Sequence, residues 1–182
     1  MQSWTYNQFG QVLSAKGPRS DVNDIVTYRY YGDTSADHTL GDLAVMTNAA
    51  GQSNQYPAYT RTGQVLRAVD ANGIVTDNVY DLRDRLISST AGGLQTQYGY
   101  DLAGQLIKLT LPDGTSYMYT WDDAHRLTKI SDVAGNSLTY TLDSAGNRVL
   151  EQTQDAAGNV ARRISRAFDA LGRLQQVTGA QR

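Results

Sequence analysis

The chain repeats itself about every 21 residues, and a period of that kind limits the fold to a stack of one supersecondary unit. Each unit opens on an aromatic, runs through Asp and two variable residues to a Gly, and continues with a polar and an aliphatic residue. A second Gly follows about ten residues later. Units start near residues 6, 31, 59, 80, 100, 121, 142 and 168, the last one cut short within the 182-residue sequence. The first-turn column reads Gly10, Gly41, Gly63, Asp84, Gly104, His125, Gly146 and Gly172. The second reads Gly51, Gly73, Gly93, Gly114, Gly135 and Gly158. The position after the first turn is usually Gln, Arg or Asn, and an aliphatic follows, except at Arg148.

Both Gly columns have the chemistry of tight turns. Asp in "DLAG" and "DALG" can cap backbone amides, and Gly takes positive φ without steric cost. "PDG", "ANG" and "AGN" carry the same message in the second column. Asp84 and His125 are expected to be degenerate turn positions, because both types tolerate left-handed backbone better than β-branched residues do. Between turns lie runs of about seven residues such as "QLIKLTL" and "TSYMYTW", rich in β-formers and too short for stable helices. A strand of that length spans roughly 23 Å. Residues 156–168 admit a short helix, but the period favours a long hairpin. The expected fold is therefore all-β: consecutive antiparallel hairpins of about 21 residues in a twisted, shell-like repetitive sheet, with residues 1–182 as one block of repeats.

Alternation separates the faces. Tyr117, Tyr119 and Trp121 share one face, as do Tyr98 and Tyr100, and Tyr28 and Tyr30. Tyr59, Tyr80, Tyr98, Tyr100, Tyr119, Trp121, Tyr140 and Phe168 are expected to form an aromatic ladder between neighbouring units, each pair adding about 0.5–1 kcal/mol. Both faces carry polar residues, which suits one extended sheet better than a tight sandwich.

Composition narrows the function. Charge is nearly balanced, with 16 Lys and Arg against 18 Asp and Glu, so no bulk electrostatic attraction to nucleic acid is expected. No apolar run is long enough to span a bilayer, and Met1 precedes polar residues, so no signal peptide is expected in this segment. Without Cys there are no disulfides and no thiolate metal sites. No nucleophile elbow or phosphate loop marks an enzyme. "DTSADHTLGD" offers Asp33, Asp37, His38 and Asp42, but not at EF-hand spacing; an insertion loop is the plainer reading, and neither metal nor cofactor is expected. Arg162, Arg163 and Arg166 read as a solvated strand face or a contact to a neighbouring unit.

"YDLAGQL", "WDDAHRL", "LDSAGNRV" and "FDALGRLQQV", each with a downstream turn, resemble the YD repeats of the Rhs family, most closely from Tyr59 to Val177. Members of that family, with the shell subunits of insecticidal toxin complexes and animal teneurins, wind such hairpins into a hollow shell. The resemblance implies a structural role: a wall segment that encloses or presents a C-terminal toxin or other cargo, used in competition between bacteria and exported by a secretion apparatus such as type VI. Its partners would be the remaining repeats and cargo of a larger, secreted or cell-surface polypeptide, with self-association possible at open strand edges. The family's core motif contains an Asp-Pro step and a self-cleaving aspartate. Here the prolines follow Gly17, Tyr56 and Leu111, so no catalytic residue is carried over and an internal shell fragment or short repeat block is expected. The alternative is a free-standing cell-surface module that binds carbohydrate or protein, which requires Tyr117, Tyr119 and Trp121 to be exposed on a concave face.

Overall fold

A computed structural model describes residues 1–19, 21, 22 and 24–181. The described residues form sixteen strands and no helix. The chain divides into two compact units, Met1–Gln95 and Thr96–Arg182. The first holds β1 (Ser3–Tyr6), β2 (Val12–Lys16), β3 (Ile25–Tyr30), β4 (Leu43–Thr47), β5 (Ser53–Tyr59), β6 (Val65–Val69), β7 (Val75–Tyr80) and β8 (Leu86–Ala91). β9 (Leu94–Tyr100) leads into the second, which continues with β10 (Leu106–Thr110), β11 (Ser116–Trp121), β12 (Leu127–Asp132), β13 (Ser137–Leu142), β14 (Arg148–Gln154), β15 (Val160–Phe168) and β16 (Leu174–Gln181). Within each unit every strand pairs antiparallel with its neighbours in chain order. Residues 160–168 are a strand, as the period required.

Nearly all connections are the same three-residue loop. In the loop after β9, the Asp101 amide donates to the Gln105 carbonyl at 3.0 Å and the Gly104 amide to the Asp101 carbonyl at 3.2 Å. The same pair of bonds closes the loop after β10, from Leu111 to Thr115 and from Gly114 to Leu111. In the second unit's repeats the strand before the first loop ends on Tyr100, Trp121, Leu142 or Phe168, an aromatic in every case but Leu142. In the first unit this column is occupied by Tyr30, paired with Leu43, one residue ahead of the unit start at 31 read from the sequence.

The two loops of a repeat differ in the strand register beyond them. After the first, Trp121 pairs with Leu127 but Thr120 pairs with Lys129, leaving Thr128 without an opposite residue. The same one-residue bulge lies beyond Tyr6, Tyr30, Tyr59, Tyr80, Tyr100, Leu142 and Phe168. Such a bulge bends its strand and raises the local twist. The second loop leads into unbroken register, as in Lys108–Met118, Leu109–Tyr117 and Thr110–Ser116, with one exception between β14 and β15.

Register sorts the residues of the second unit into two chemically distinct faces. One carries Tyr98, Leu109, Tyr117, Tyr119, Ile130 and Leu138 in cross-strand contact. The other carries Thr120, Lys129, Thr139, Gln152 and Arg163. In the first unit the polar face holds a hydroxyl row, with Thr5 against Ser14 at 2.7 Å and Thr47 against Ser53 at 2.8 Å. Among the described residues only Ala44, Tyr59 and Ser116 are buried, and each keeps some exposure. Each unit is one layer, so stability comes from cross-strand neighbours and turns rather than an enclosed core.

His125 (φ 61) and Asp84 (φ 58) hold left-handed backbone without being Gly. His125→Gly is expected to stabilise the chain by about 1 kcal/mol, by removing the Cβ strain of that conformation. Gly63 (φ 86) has open space where a Cβ would stand. Gly63→Ala should therefore cost about 1–2 kcal/mol through backbone conformation alone. Urea midpoints of the two variants check both signs.

Candidate functional site

The residues singled out by the repeat fall in two rows, one of turns and one of aromatics. Gly10, Gly63, Gly104, Gly146 and Gly172 lie in the first-loop row with φ of 78, 86, 91, 88 and 74°. Gly73, Gly114, Gly135 and Gly158 lie in the second-loop row with φ of 81, 86, 93 and 86°. In most of these loops the residue three before the left-handed position is Asp or Asn, and its side chain organises the turn. Asp122 Oδ1 accepts the amides of Ala124 and Arg126 at 3.0 and 2.9 Å, while Oδ2 accepts Arg126 Nε at 2.8 Å. Asp81 with Arg85 and Asp169 with Arg173 repeat the clasp. Asn147 with Asp143, Asn136 with Asp132 and Asn159 with Asp155 use an amide donor instead, at 2.9, 2.7 and 2.9 Å. This explains why Gln, Arg or Asn comes after the turn. Asp70, Asp132 and Asp155 do the same work in second loops, a role the sequence reading assigned only to first loops.

The clasp sets the acidity of these groups. The Arg126 side chain, helped by its backbone amide, holds the Asp122 carboxyl below the usual range. The Asn147 side chain and amide do so for Asp143, and the Arg173 amide and side chain for Asp169. The folded chain therefore binds these protons more weakly than the unfolded chain. Stability from the clasps is full above the ordinary carboxylate pKa of about 4 and is lost as pH falls through the depressed values.

The aromatic row does more than pack. At four of the bulges the pairing with the following strand stops two residues short and an aromatic donor takes the carbonyl left beyond it, whereas Leu142 and Phe168, in the same column, have no donor to offer. Trp121 Nε1 donates to the Leu106 carbonyl at 2.9 Å, where the β10–β11 ladder ends at Lys108–Met118. Tyr30 reaches Val12, Tyr59 reaches Leu43 and Tyr80 reaches Val65, at 2.9, 2.6 and 3.1 Å. Burial, with smaller contributions from Asp42, Tyr56 and Tyr31, pushes the Tyr59 hydroxyl up to about 12.

The ladder is alternating rather than stacked. Tyr98 faces Leu109, Tyr100 faces Leu106, Tyr119 faces Ile130 and Phe168 faces Leu174. Equivalent aromatics stand two strands apart, roughly 9.6 Å, too far for ring stacking. Tyr140 faces Glu151, and the Arg148 guanidinium lies 4.1 Å over its ring. Arg148 thus covers an aromatic from the position where other repeats place an aliphatic. Tyr117, Tyr119 and Trp121 are half-buried, not the open platform that the carbohydrate reading required.

The insertion "DTSADHTLGD" is a long loop between Tyr31 and Asp42 that keeps the ordinary closing bonds, Tyr31 amide to Asp42 carbonyl and Gly41 amide to Tyr31 carbonyl. His38 stacks on the Tyr31 ring at 3.5 Å, Asp42 Oδ2 accepts the Thr39 amide, and the Asp37 carbonyl accepts the Tyr59 amide. Asp33, Asp37, His38 and Asp42 do not converge on a metal position; no such cluster occurs among the described residues. Arg166 pairs with Glu151 at 3.4 Å on the apolar face, while Arg163 lies on the polar one.

Two losses are expected from this geometry. Trp121→Phe strands the Leu106 carbonyl and should cost about 1–3 kcal/mol, and Tyr59→Phe should cost at least as much, because Tyr59 is the more buried. Stability should fall on acidification from pH 6 to pH 3. Replacing Asp122 and Asp143 by Asn, which keeps the Oδ1 acceptor but not the charge, should flatten that dependence. Denaturant titrations at several pH values measure both effects.

The Rhs-repeat family profile matches residues 80–116 and 121–160. No curated protein matches the sequence significantly. Among solved structures, the chain is similar to the crystal structure of TcdB2-TccC3-TEV, with 18% identity and a TM-score of 0.76 over 99% of this chain and 10% of that one. It is also similar to the Photorhabdus luminescens Tc holotoxin pore, with 17% identity and a TM-score of 0.77 over 99% of this chain and 10% of that one. The crystal structure of TcdB2-TccC3 gives 17% identity and a TM-score of 0.76, covering 99% and 11%. The chain therefore spans about a tenth of the length of these proteins. Residues 80–116 and 121–160 thus match the RHS repeat, and the chain as a whole has the hairpin fold of these toxin-complex structures.

Proposed function

We propose that this chain is a length of wall in an Rhs-type shell, and that it works by exclusion and without catalysis. The observation that carries this reading is the single-layer sheet of repeated hairpins with one apolar and one polar face, in the fold of Tc toxin components. Such a layer separates two environments without needing a core of its own. Cargo would be a toxin or other polypeptide carried by the same longer chain. Export by a secretion apparatus and use against competing bacteria belong to the same proposal.

The strand edges fit continuation into further repeats. β1 and β16 each have one pairing partner, and neither "SWTY" nor "LQQVTGAQ" contains a charged residue or Pro to discourage pairing. The isolated chain should therefore self-associate with rising concentration. Thr178→Lys on β16 should shift it toward monomer, as read by sedimentation velocity.

The decisive experiment is an immunoblot of source cells with antibodies against this segment, followed by terminal sequencing and electron microscopy of the purified band. A polypeptide several times larger than 19.9 kDa that images as a closed shell supports the proposal; a native product of 19.9 kDa overturns it.

A further inference from the structure

The loop between Tyr31 and Asp42 departs furthest from the repeat, and it builds a cleft that no other part of the fold explains. The cleft has a volume of about 360 Å³ and is lined by Thr34, Ser35, His38, Thr39, Thr60 and Arg61, with Ala36 and Tyr59. Its chemistry is one-sided. Not one lining side chain is a carboxylate. Arg61 is exposed and forms no ion pair among the described residues. The Thr34 hydroxyl accepts the Leu40 amide at 3.0 Å, and the Ser35 hydroxyl accepts the Asp37 amide at 3.1 Å. A hydroxyl that accepts a backbone N–H keeps its own proton to donate elsewhere.

The imidazole adds a further donor. His38 Nδ1 is enclosed and has no hydrogen-bond partner. An enclosed N–H without an acceptor costs more than an enclosed lone pair would, because the desolvated donor loses a stronger bond to water. The ring proton therefore belongs on Nε2. Stacking on Tyr31 at 3.5 Å and 9° fixes the ring plane, so this donor is held in place. The loop is held too, by Ser35 amide to His38 carbonyl at 2.9 Å and Tyr59 amide to Asp37 carbonyl at 2.7 Å.

We propose that this cleft binds a tetrahedral oxyanion, a phosphate or sulfate group, free or carried on a larger molecule. Arg61 supplies the charge and a forked donor, the Thr34 and Ser35 hydroxyls donate to further oxygens, and His38 Nε2 closes the set. The volume holds one such group with room for the atom that carries it. The inference stands on the cleft alone and is independent of the shell reading.

The test is a titration of the 182-residue chain with inorganic phosphate and, separately, with sulfate, followed by calorimetry and by the His38 ring resonances. Sodium acetate at matched ionic strength is the planar-anion control. Saturable binding with a shift of the His38 resonances is expected for phosphate or sulfate, whichever is the physiological group, and weaker binding for acetate. Arg61→Ala should weaken binding about tenfold or more, from loss of a charge-assisted contact. Arg163→Ala, on the polar face of the second unit, should leave it unchanged. His38→Gln should likewise weaken binding, and should that variant prove unstable, Arg61→Ala still decides the question. Non-saturable binding, equal affinity for acetate, or an affinity unmoved by Arg61→Ala overturns the proposal. A phosphate-to-sulfate ratio far from one names the group; equal saturable affinities leave the oxyanion class supported.

Discussion

The structure depends on one turn used again and again. A carboxylate or amide at the loop's first residue takes two backbone amides with one oxygen and the side chain four residues on with the other, as Asp122 does with Ala124 and Arg126. That arrangement satisfies backbone groups that a three-residue loop would leave to water, and it brings the two strands back in antiparallel register. A sheet with almost no fully buried residue needs such local definition. There is no second layer to select the correct register by burial, so the turns must specify it.

The bulge and the aromatic donor are one device. The bulge after each first loop parts the strand from its following neighbour near the loop, and the ladder ends early. Tyr30, Tyr59, Tyr80 and Trp121 then reach over with a polar tip to the exposed carbonyl while the ring packs against aliphatics below. Only Tyr and Trp combine a broad apolar body with a donor at the required distance. At Tyr30, Tyr59 and Tyr80 that carbonyl is a reason for Tyr where Phe would pack equally well.

Much of this was legible beforehand and some was not. The Gly columns could be read because positive φ admits few residues, and Asp84 and His125 occupy turn positions with that backbone. The strand at 160–168 could be read from the period against a competing helical reading. The bulges went unseen, although Val12-Leu13, Val65-Leu66, Leu86-Ile87 and Leu106-Ile107 announce them: two aliphatics in succession break the alternation of a plain strand. The donors of the aromatic row could not be inferred without the bulges, because the carbonyl each one meets is freed by an irregularity some 15 residues earlier, as for Trp121 and Leu106. The fold of the Tyr31–Asp42 loop depends on contacts to Tyr56 and Tyr59, which no local pattern encodes.

The bulge also sets the size of change that this architecture tolerates over evolutionary time. Every bond of a repeat, from the clasp to the aromatic tip, is made within that repeat or to the one beside it. Duplicating or removing a whole repeat of about 21 residues leaves each of those bonds intact. A single inserted residue within a strand turns every subsequent side chain to the opposite face until the next turn resets the alternation. Recombination between repeats is thus a route by which such arrays lengthen, and short frame-preserving insertions find room only in loops such as Tyr31–Asp42.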